Sequence, residues 1–215
     1  MAVKVYGIPL STATRNAMAT LYEKGVEFEL VTVNMKEGAH KRPEHLKLNP
    51  FGKVPVYQDE DVTLFESRAI NRYISTKYEG QGTPLFGKTP SEKALVEQWI
   101  EVEGQNYYPA MSPLNYQLFF KKMFSGEGPD EAIVATNVQK LNAVLDIYEA
   151  RLAESKYLAG DFFSLADLSH YAQTEYFMKH SGKSDLITSR PHVASWWEDI
   201  SNRSSWQKTI TYGSS

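Results

Sequence analysis

Hydroxyl side chains cluster in Ser11-Thr12-Ala13-Thr14-Arg15, soon after an apolar run that ends at Gly7. The run predicts a β-strand and the following segment predicts a helix, so the hydroxyls stand where a strand gives way to a helix. Such a hydroxyl can cap the helix by accepting a backbone N–H. It can also face an anion, because the N–H groups and dipole at a helix N-terminus favour negative charge. The spacing alone favours the cap and leaves the anion site open.

A second polar pair, Glu66-Ser67, opens another predicted helix directly after a short strand. An acid and a hydroxyl in this place commonly form a plain cap. They can also hold the amino-acid end of a ligand, since Glu66 would pair with an ammonium while helix N–H groups accept a carboxylate. Val54-Pro55 precedes a third strand, and an X-Pro bond there can be cis, although most are trans.

Several other kinds of chemistry are excluded. The chain contains no cysteine, which rules out a disulfide scaffold, a thiolate zinc site, a redox pair and a cysteine nucleophile. Nucleotide-binding glycine loops, His-Glu-x-x-His and Gly-x-Ser-x-Gly are absent, and the five histidines do not fall at metal-ligand spacing. We therefore expect no metal site.

The elements that position these residues alternate over the first eighty positions. Residues 3–6 and 28–33 predict two strands joined by a helix that stops at Gly25, the pattern of a parallel pair with a crossover helix. We expect the second strand to be buried on both faces. Residues 54–57 and 63–65 predict a hairpin, and a helix follows from Ser67 to about Gly80.

Glycine and proline are dense in residues 80–90, which predicts a linker, and the pattern beyond it is helical throughout. Ser164-Leu165-Ala166-Asp167 predicts a capping box, with Asp167 as a folding element and no catalytic role, opening a helix that contains Leu168 and Tyr171. We expect an α/β domain at 1–80, a linker at 81–90 and an all-helical domain at 91–215. The clearest helical stripe is Val134, Val138, Leu141, Leu145, Tyr148 and Leu152.

Composition places the chain among ordinary globular proteins. It has 215 residues, of which 42% are hydrophobic, and a formal net charge of −3. This balance provides no basic surface for nucleic acid, and no apolar run approaches the roughly 18 residues of a membrane span or forms a signal peptide. We expect a soluble, cytoplasmic protein without nucleic-acid or membrane partners.

Taken in order, these motifs resemble the cytosolic glutathione transferases, and they are similar in particular to the plant phi class. The resemblance covers essentially the whole chain and implies a thioredoxin-like βαβ–ββα domain followed by a helical domain. The segments that carry it are Pro9-Leu10-Ser11-Thr12-Ala13, His40-Lys41, residues 49–55, residues 64–70, residues 157–161 and residues 165–170.

The resemblance implies that Ser11 holds the thiolate of the co-substrate glutathione by donating a hydrogen bond. Other classes use a tyrosine near the end of the first strand, but the place of Tyr6 within its strand favours a packing role. Lys53 stands where the family often has glutamine. The implied glutathione-binding residues are Ser11, Thr12, His40, Lys41, Lys53, Val54 (beside a cis Pro55), Glu66, Ser67 and Arg68.

The implied reaction is attack of the thiolate on hydrophobic electrophiles in detoxification, and the same thiolate could reduce organic hydroperoxides. The electrophile is expected to lie between the domains, against apolar side chains. A non-catalytic carrier of hydrophobic or flavonoid-like ligands is the alternative. The resemblance also implies a homodimer, with Phe51 as a candidate aromatic contact. The candidate electrophile-binding residues are Leu10, Met35, Tyr116, Phe119 and Met123, of which about half could be ordinary helical core.

Overall fold

A computed structural model describes residues 2–213 of the chain. These residues form two compact units. The first consists of the chain up to Phe86 together with the segment from Arg203 onward, and the second is Gly87–Asn202. The segment after Asn202 thus belongs to the first unit, although it is the far end of the stretch expected to form the helical domain.

The first unit is built on a four-stranded sheet in the order β2-β1-β3-β4, in which β1 pairs parallel with β2 and antiparallel with β3, and β3 pairs antiparallel with β4. Val3 and Val5 of β1 and Tyr57 of β3 point into one apolar core. This is the predicted thioredoxin-like arrangement. The strands are β1 (Val3–Gly7), β2 (Phe28–Thr32), β3 (Val56–Gln58) and β4 (Thr63–Phe65), and the helices are α1 (Thr12–Glu23), α2 (Pro43–Leu46) and α3 (Ser67–Lys77).

Helices α1 and α3 cover the core face of this sheet, with Ala17, Leu21, Ile70 and Ile74 fully buried. The prediction that β2 is buried on both faces is wrong. β2 is an edge strand, and its Glu29 and Thr32 are exposed. An edge strand has a neighbour on one side only, so part of its surface stays in water even where its sequence is β-branched and apolar.

The second unit is all-helical, as predicted. α7 buries the expected stripe, with Val138 only half-buried. Two π-helical turns, Glu103–Tyr107 and Tyr116–Phe120, interrupt the first half of the unit. Its helices are α4 (Pro90–Val102), α5 (Tyr108–Asn115), α6 (Lys121–Ser125), α7 (Glu131–Glu154), α8 (Leu165–Leu168), α9 (Tyr171–His180), α10 (Asp185–Thr188) and α11 (Pro191–Ser201); the last helix of the chain, α12 (Ser204–Ile210), lies in the first unit.

The capping box at Ser164 and Asp167 is present as predicted. The helix it opens is shorter than expected, because α8 ends at Leu168 and Tyr171 begins α9. Ser169 donates its hydroxyl to the Leu165 carbonyl (2.7 Å), and His170 Nδ1 lies 2.8 Å from the Ala166 carbonyl. Side chains that bond to nearby carbonyls compete with the helical backbone.

None of the helices within residues 2–213 combines the length and apolar character that crossing a bilayer requires.

Candidate active site

The sheet brings the predicted polar pairs to one end. Tyr6 of β1 is opposite Val56 of β3, and Val56 is opposite Phe65 of β4. β3 runs antiparallel to both neighbours, so the segment entering β3 lies beside the segments leaving β1 and β4. The segment entering β3 carries Val54-Pro55, the segment leaving β1 carries Ser11, and the segment leaving β4 carries Glu66-Ser67. Three features that are far apart in sequence therefore lie at the same end of the sheet.

Ser11 is the N-cap of α1. Its Oγ accepts the Thr14 N–H (3.2 Å), and its carbonyl accepts the Arg15 N–H (2.9 Å). Accepting that bond occupies a lone pair and leaves the hydroxyl hydrogen to be donated. Ser11 is half-buried and donates this hydrogen to no other residue within 2–213. The cap and the anion site are thus compatible, because one hydroxyl can fill both roles.

Gly7 allows α1 to start against the end of β1. A Cβ at Gly7 would lie 2.5 Å from Thr14 Oγ1 and 2.6 Å from Thr14 Cγ2. Real Cβ contacts are essentially never this short, so any side chain at position 7 would push the first turn of α1 away from the strand. The position of Ser11 therefore depends on glycine at this point of the strand.

Tyr6 is already bonded within the sheet. Its hydroxyl donates to Gln58 Oε1 (2.9 Å), and Gln58 Nε2 donates to Thr63 Oγ1 (3.1 Å). This chain of bonds crosses three strands on the face opposite the apolar core. A phenol that gives its hydrogen to a neighbour is not ready to donate it to a thiolate. The geometry therefore favours Ser11 over Tyr6 as the donor.

Glu66 has an unusual backbone. Its φ of 70° and ψ of 107° make it the one non-glycine residue within 2–213 with positive φ. Such conformations cost about 1–3 kcal/mol and concentrate at functional sites. Glu66 precedes α3 without capping it through its side chain, so the first N–H groups of α3 have no side-chain cap. Its own side chain is exposed. The arrangement suits the amino-acid end of a ligand, with Ser67 at the first position of the helix.

His40 and Lys41 lie on a 3₁₀ turn, Ala39–Lys41, that packs against Gly52. Lys41 Nζ donates to the Phe51 carbonyl (3.0 Å). His40 Nδ1 is buried and has no hydrogen-bond partner within residues 2–213. Burial, and then the charges of Lys41 and His45, lower the pKa of His40. A buried imidazole nitrogen without a partner, beside a lysine, fits a polar group of a ligand such as a carboxylate.

Hydrogen bonds to the Lys53 carbonyl fix the Lys53-Val54-Pro55 segment. The Lys53 carbonyl lies 2.9 Å from His45 Nε2 and accepts Asn49 Nδ2 at the same distance. The Val54–Pro55 bond is cis. The Val54 N–H and carbonyl form no hydrogen bond within the described chain. Both groups can therefore pair with the backbone of a peptide ligand.

Sequence reasoning assigned no role to His45, Asn49 or Gly52. His45 and Asn49 are both buried and fix Lys53. Gly52 has a φ of +58°, and a Cβ there would lie 2.8 Å from the His40 carbonyl. The turn signal of Asn49-Pro50-Phe51-Gly52 was visible. The contacts of that turn with residues 40–45 have no local signature in the sequence.

The candidate electrophile-binding residues differ in exposure. In the first unit, Leu10 and Met35 are half-buried. In the second unit, Tyr116 and Met123 are 48% and 43% exposed, so their side chains are not part of the buried core. Phe119 stacks on His180 at 4.0 Å between ring centroids and on Tyr176 at 5.6 Å, so part of its ring serves the packing of this unit. Their contact with a substrate stays a prediction.

Arg68 and Thr12 occupy the first turns of α3 and α1 and are half-buried. Within the described residues, no group of three or more histidine, aspartate or glutamate side chains is arranged to hold a metal ion.

Comparison with known proteins places both units in one family. Residues 1–76 match the N-terminal domain of glutathione S-transferase, and residues 109–204 match its C-terminal domain. Glutathione S-transferase F9 of Arabidopsis thaliana is 46% identical over 98% of this chain and 97% of its own length.

Solved structures agree. Glutathione transferase F2 from Populus trichocarpa has a TM-score of 0.96 and 47% identity, over 98% of each chain. Maize glutathione S-transferase I in complex with an atrazine glutathione conjugate has a TM-score of 0.89 and 39% identity, over the full length of both chains. The family models match both units and the relatives align over nearly the whole chain, so the chain belongs to the glutathione S-transferase family.

Proposed function

We propose that this chain is a serine-type glutathione transferase of the plant phi class. In this proposal Ser11 donates a hydrogen bond to the glutathione thiolate, which attacks the electrophilic carbon of an apolar compound. The carrying observation is the state of Ser11: its Oγ caps α1 by accepting from Thr14, and its hydrogen is not donated within residues 2–213. A hydroxyl in this position can stabilise an anion by donating its hydrogen. Because it is a very weak acid, it is not ionised at neutral pH and does not act as a base.

The thiolate is the reactive species, and a free thiol has a pKa of about 8.5, so most glutathione is protonated at neutral pH. A donated hydrogen bond and the N-terminus of α1 both favour the charged sulfur. Each pKa unit corresponds to about 1.4 kcal/mol. In the reaction the thiol proton leaves to solvent, the C–S bond forms, and the bond to the leaving group breaks with its electron pair.

The other residues implied by the family resemblance bind the rest of the tripeptide. Glu66 pairs with the γ-glutamyl ammonium, while Ser67 and the uncapped N–H groups of α3 take the adjacent carboxylate. The open backbone groups of Val54 pair with the cysteinyl residue. His40, Lys41 and Lys53 take the glycyl carboxylate. The orphaned His40 Nδ1 and the unpaired backbone of Val54 support these assignments.

The same thiolate supports reduction of organic hydroperoxides. The sulfur attacks the terminal oxygen of the hydroperoxide, the O–O bond breaks, and a sulfenic acid and an alcohol are formed. The thiol of a second glutathione then displaces the sulfenic hydroxyl as water and forms glutathione disulfide. Detoxification of hydrophobic electrophiles in the cytoplasm, by a homodimer, completes the proposal. Family membership supports these last points.

The test compares wild type with Ser11→Ala and Tyr6→Phe in conjugation of a chloro-nitrobenzene electrophile, with glutathione binding followed by calorimetry. A hydrogen bond to a charged group contributes about 1.5–3 kcal/mol, so we expect Ser11→Ala to lower kcat/KM about ten- to a hundred-fold while glutathione still binds. Tyr6→Phe should stay within about twofold of wild type, because its hydroxyl bonds to Gln58. Loss in Tyr6→Phe alone would contradict the assignment. Glutathione binding without conjugation or peroxide reduction in wild type would favour the carrier.

A further inference from the structure

Residues 36–53 carry an excess of positive charge. The segment holds five cationic side chains (Lys36, Lys41, Arg42, Lys47 and Lys53) against two carboxylates (Glu37 and Glu44), a net charge of +3 in a chain whose formal net charge is −3. Arg42 lies 3.8 Å from Glu37, which partly compensates it. The remaining charge is concentrated on lysines.

Folding brings the side chain of Lys41 against the backbone next to Lys53. A Cβ at Gly52 would lie 2.9 Å from Lys41 Nζ, so the ammonium of Lys41 rests against the residue that directly precedes Lys53. The buried and unpartnered His40 Nδ1 belongs to the same turn as Lys41. We call His40, Lys41 and Lys53 the basic end of the site.

Lys53 differs from Lys41 in how its charge is held. Lys41 donates to the Phe51 carbonyl, and only part of its donor capacity remains. The Lys53 backbone is fixed by His45 and Asn49, while its side chain is exposed and forms no ion pair or hydrogen bond inside the 2–213 range. A lysine on a fixed base is a point charge on a flexible four-carbon stem, which can follow an acceptor that moves.

The basic end therefore carries more positive charge than is needed to bind one carboxylate. In the function proposed above, the glycine end of glutathione brings one negative charge to three basic side chains, of which Lys41 and His40 are sufficient to bind it. This leaves the ammonium of Lys53, with no acidic partner in the part of the chain that the structure describes.

Resting on the function proposed above, we propose that the basic end binds a second carboxylate, and that Lys53 determines this specificity. The co-substrates of this chain then include γ-glutamylcysteinyl tripeptides whose third residue has an acidic side chain. The sulfur chemistry at Ser11 is unchanged, because the second carboxylate belongs to the third residue of the peptide and the reacting thiol to the second.

The expected effect is modest and depends on salt. Exposed ion pairs change equilibria by about two- to fivefold, and salt screens them over a Debye length of about 10 Å at 0.1 M. The charge on Lys53 should therefore be visible as a ratio between two co-substrates rather than as loss of activity.

The experiment measures conjugation of a chloro-nitrobenzene electrophile with glutathione and with γ-glutamylcysteinylglutamate, at low and high ionic strength. It compares wild type, Lys53→Gln and Lys47→Gln. Lys47 is an exposed lysine of the same segment, so its substitution removes the same charge from elsewhere in the segment.

At low salt we expect wild type to use the acidic tripeptide at least as well as glutathione. Lys53→Gln should lower the kcat/KM for the acidic tripeptide about two- to fivefold relative to that for glutathione, and Lys47→Gln should leave the ratio unchanged. High salt should abolish the difference. An unchanged ratio in Lys53→Gln, or an equal fall in Lys47→Gln, would overturn this inference while glutathione conjugation persists. Absence of conjugation with glutathione itself would overturn the proposed function as well.

Discussion

Glu23 and Arg203, which lie 180 positions apart, form a two-pronged ion pair: Arg203 Nε and Nη2 donate to the two oxygens of Glu23 at 2.7 and 2.8 Å. Ser205 and Thr83 also donate their hydroxyls to this carboxylate. The pair joins the C-terminal end of α1 to the start of α12. The helix whose N-terminus carries Ser11 is thus fixed at its other end by the last helix of the chain.

Loss of this pair should destabilise the first unit. Glu23→Ala leaves Arg203, Ser205 and Thr83 without their acceptor, and breaking a buried pair costs about 3–5 kcal/mol, less where one partner is partly exposed as Arg203 is. We expect the free energy of unfolding to fall by about 2–4 kcal/mol in urea denaturation. Glu27→Ala, an exposed carboxylate just beyond α1, is the control and should change it by under about 0.5 kcal/mol.

The same carboxylate should contribute to acid sensitivity. Burial alone would raise the pKa of Glu23, but the hydrogen bonds from Arg203, Ser205 and Thr83, with the charge of Arg203, outweigh it and lower the pKa below its ordinary 4.5. A lowered folded-state pKa gives stability that is present above pH 4.5 and lost as the pH falls through the folded-state value. Glu23→Gln should therefore flatten the dependence of unfolding free energy on pH below about 4.5; a wild-type slope in the variant would contradict this.

Replacing Gly52 should weaken glutathione binding in addition to lowering stability. Ala at this position must adopt a positive φ and also collide with the His40 carbonyl and Lys41. Gly38 provides the matched control, because its φ is +69° and nothing lies within 4 Å of its Cβ position. Both substitutions carry the backbone cost of about 1 kcal/mol. Only Gly52→Ala should raise the KM for glutathione, by about tenfold, since it displaces the basic end. Equal KM values in the two variants would show that the turn does not position the site.

The two capping boxes of the second unit should differ in their contribution to stability. Asp167 is fully buried and accepts from the Leu158 and Ser164 N–H groups and from Trp196 Nε1, whereas the Thr89–Glu92 box is exposed. Asp167→Ala leaves buried donors without an acceptor and should lower the free energy of unfolding by about 3–5 kcal/mol. Glu92→Ala should cost about 0.5–1 kcal/mol. Thermal and urea unfolding of both variants test this, and similar losses would contradict it.

A cysteine at position 11 should react selectively with glutathione disulfide. The natural chain has no cysteine, so Ser11→Cys introduces its sole thiol. The introduced thiolate attacks the disulfide, forms a mixed disulfide and releases glutathione. Ser91→Cys, exposed in the first turn of α4, is the control for a thiol at a helix start. Mass spectrometry should show faster adduct formation at position 11, slowed there alone by an S-alkyl glutathione. Equal rates would mean that position 11 lies outside the glutathione site.

The elements that could be predicted are those with local signals. The Ser164–Asp167 box, the α7 stripe and the strand-helix alternation each follow from a few neighbouring residues. Features set by distant contacts could not be predicted: the edge position that exposes part of β2, and the return of Arg203 to Glu23. The positive φ of Glu66 also has no signature, because no glycine marks it. For the site, the residues alone left cap and ligand site both open at Ser11 and Glu66. The structure shows that Ser11 caps α1 and that the Glu66 side chain does not cap α3, and their contact with glutathione stays a prediction.

The proposed catalysis rests on stabilisation of the glutathione thiolate by Ser11, and the most direct measurement is the pKa of bound glutathione, followed by the ultraviolet absorbance of its thiolate. The protein contributes no thiol to this signal. In wild type we expect a pKa about one to two units below the free value of about 8.5, and in Ser11→Ala a return of most of that shift, with glutathione still bound. Identical pKa values in the two proteins would contradict the central role of Ser11.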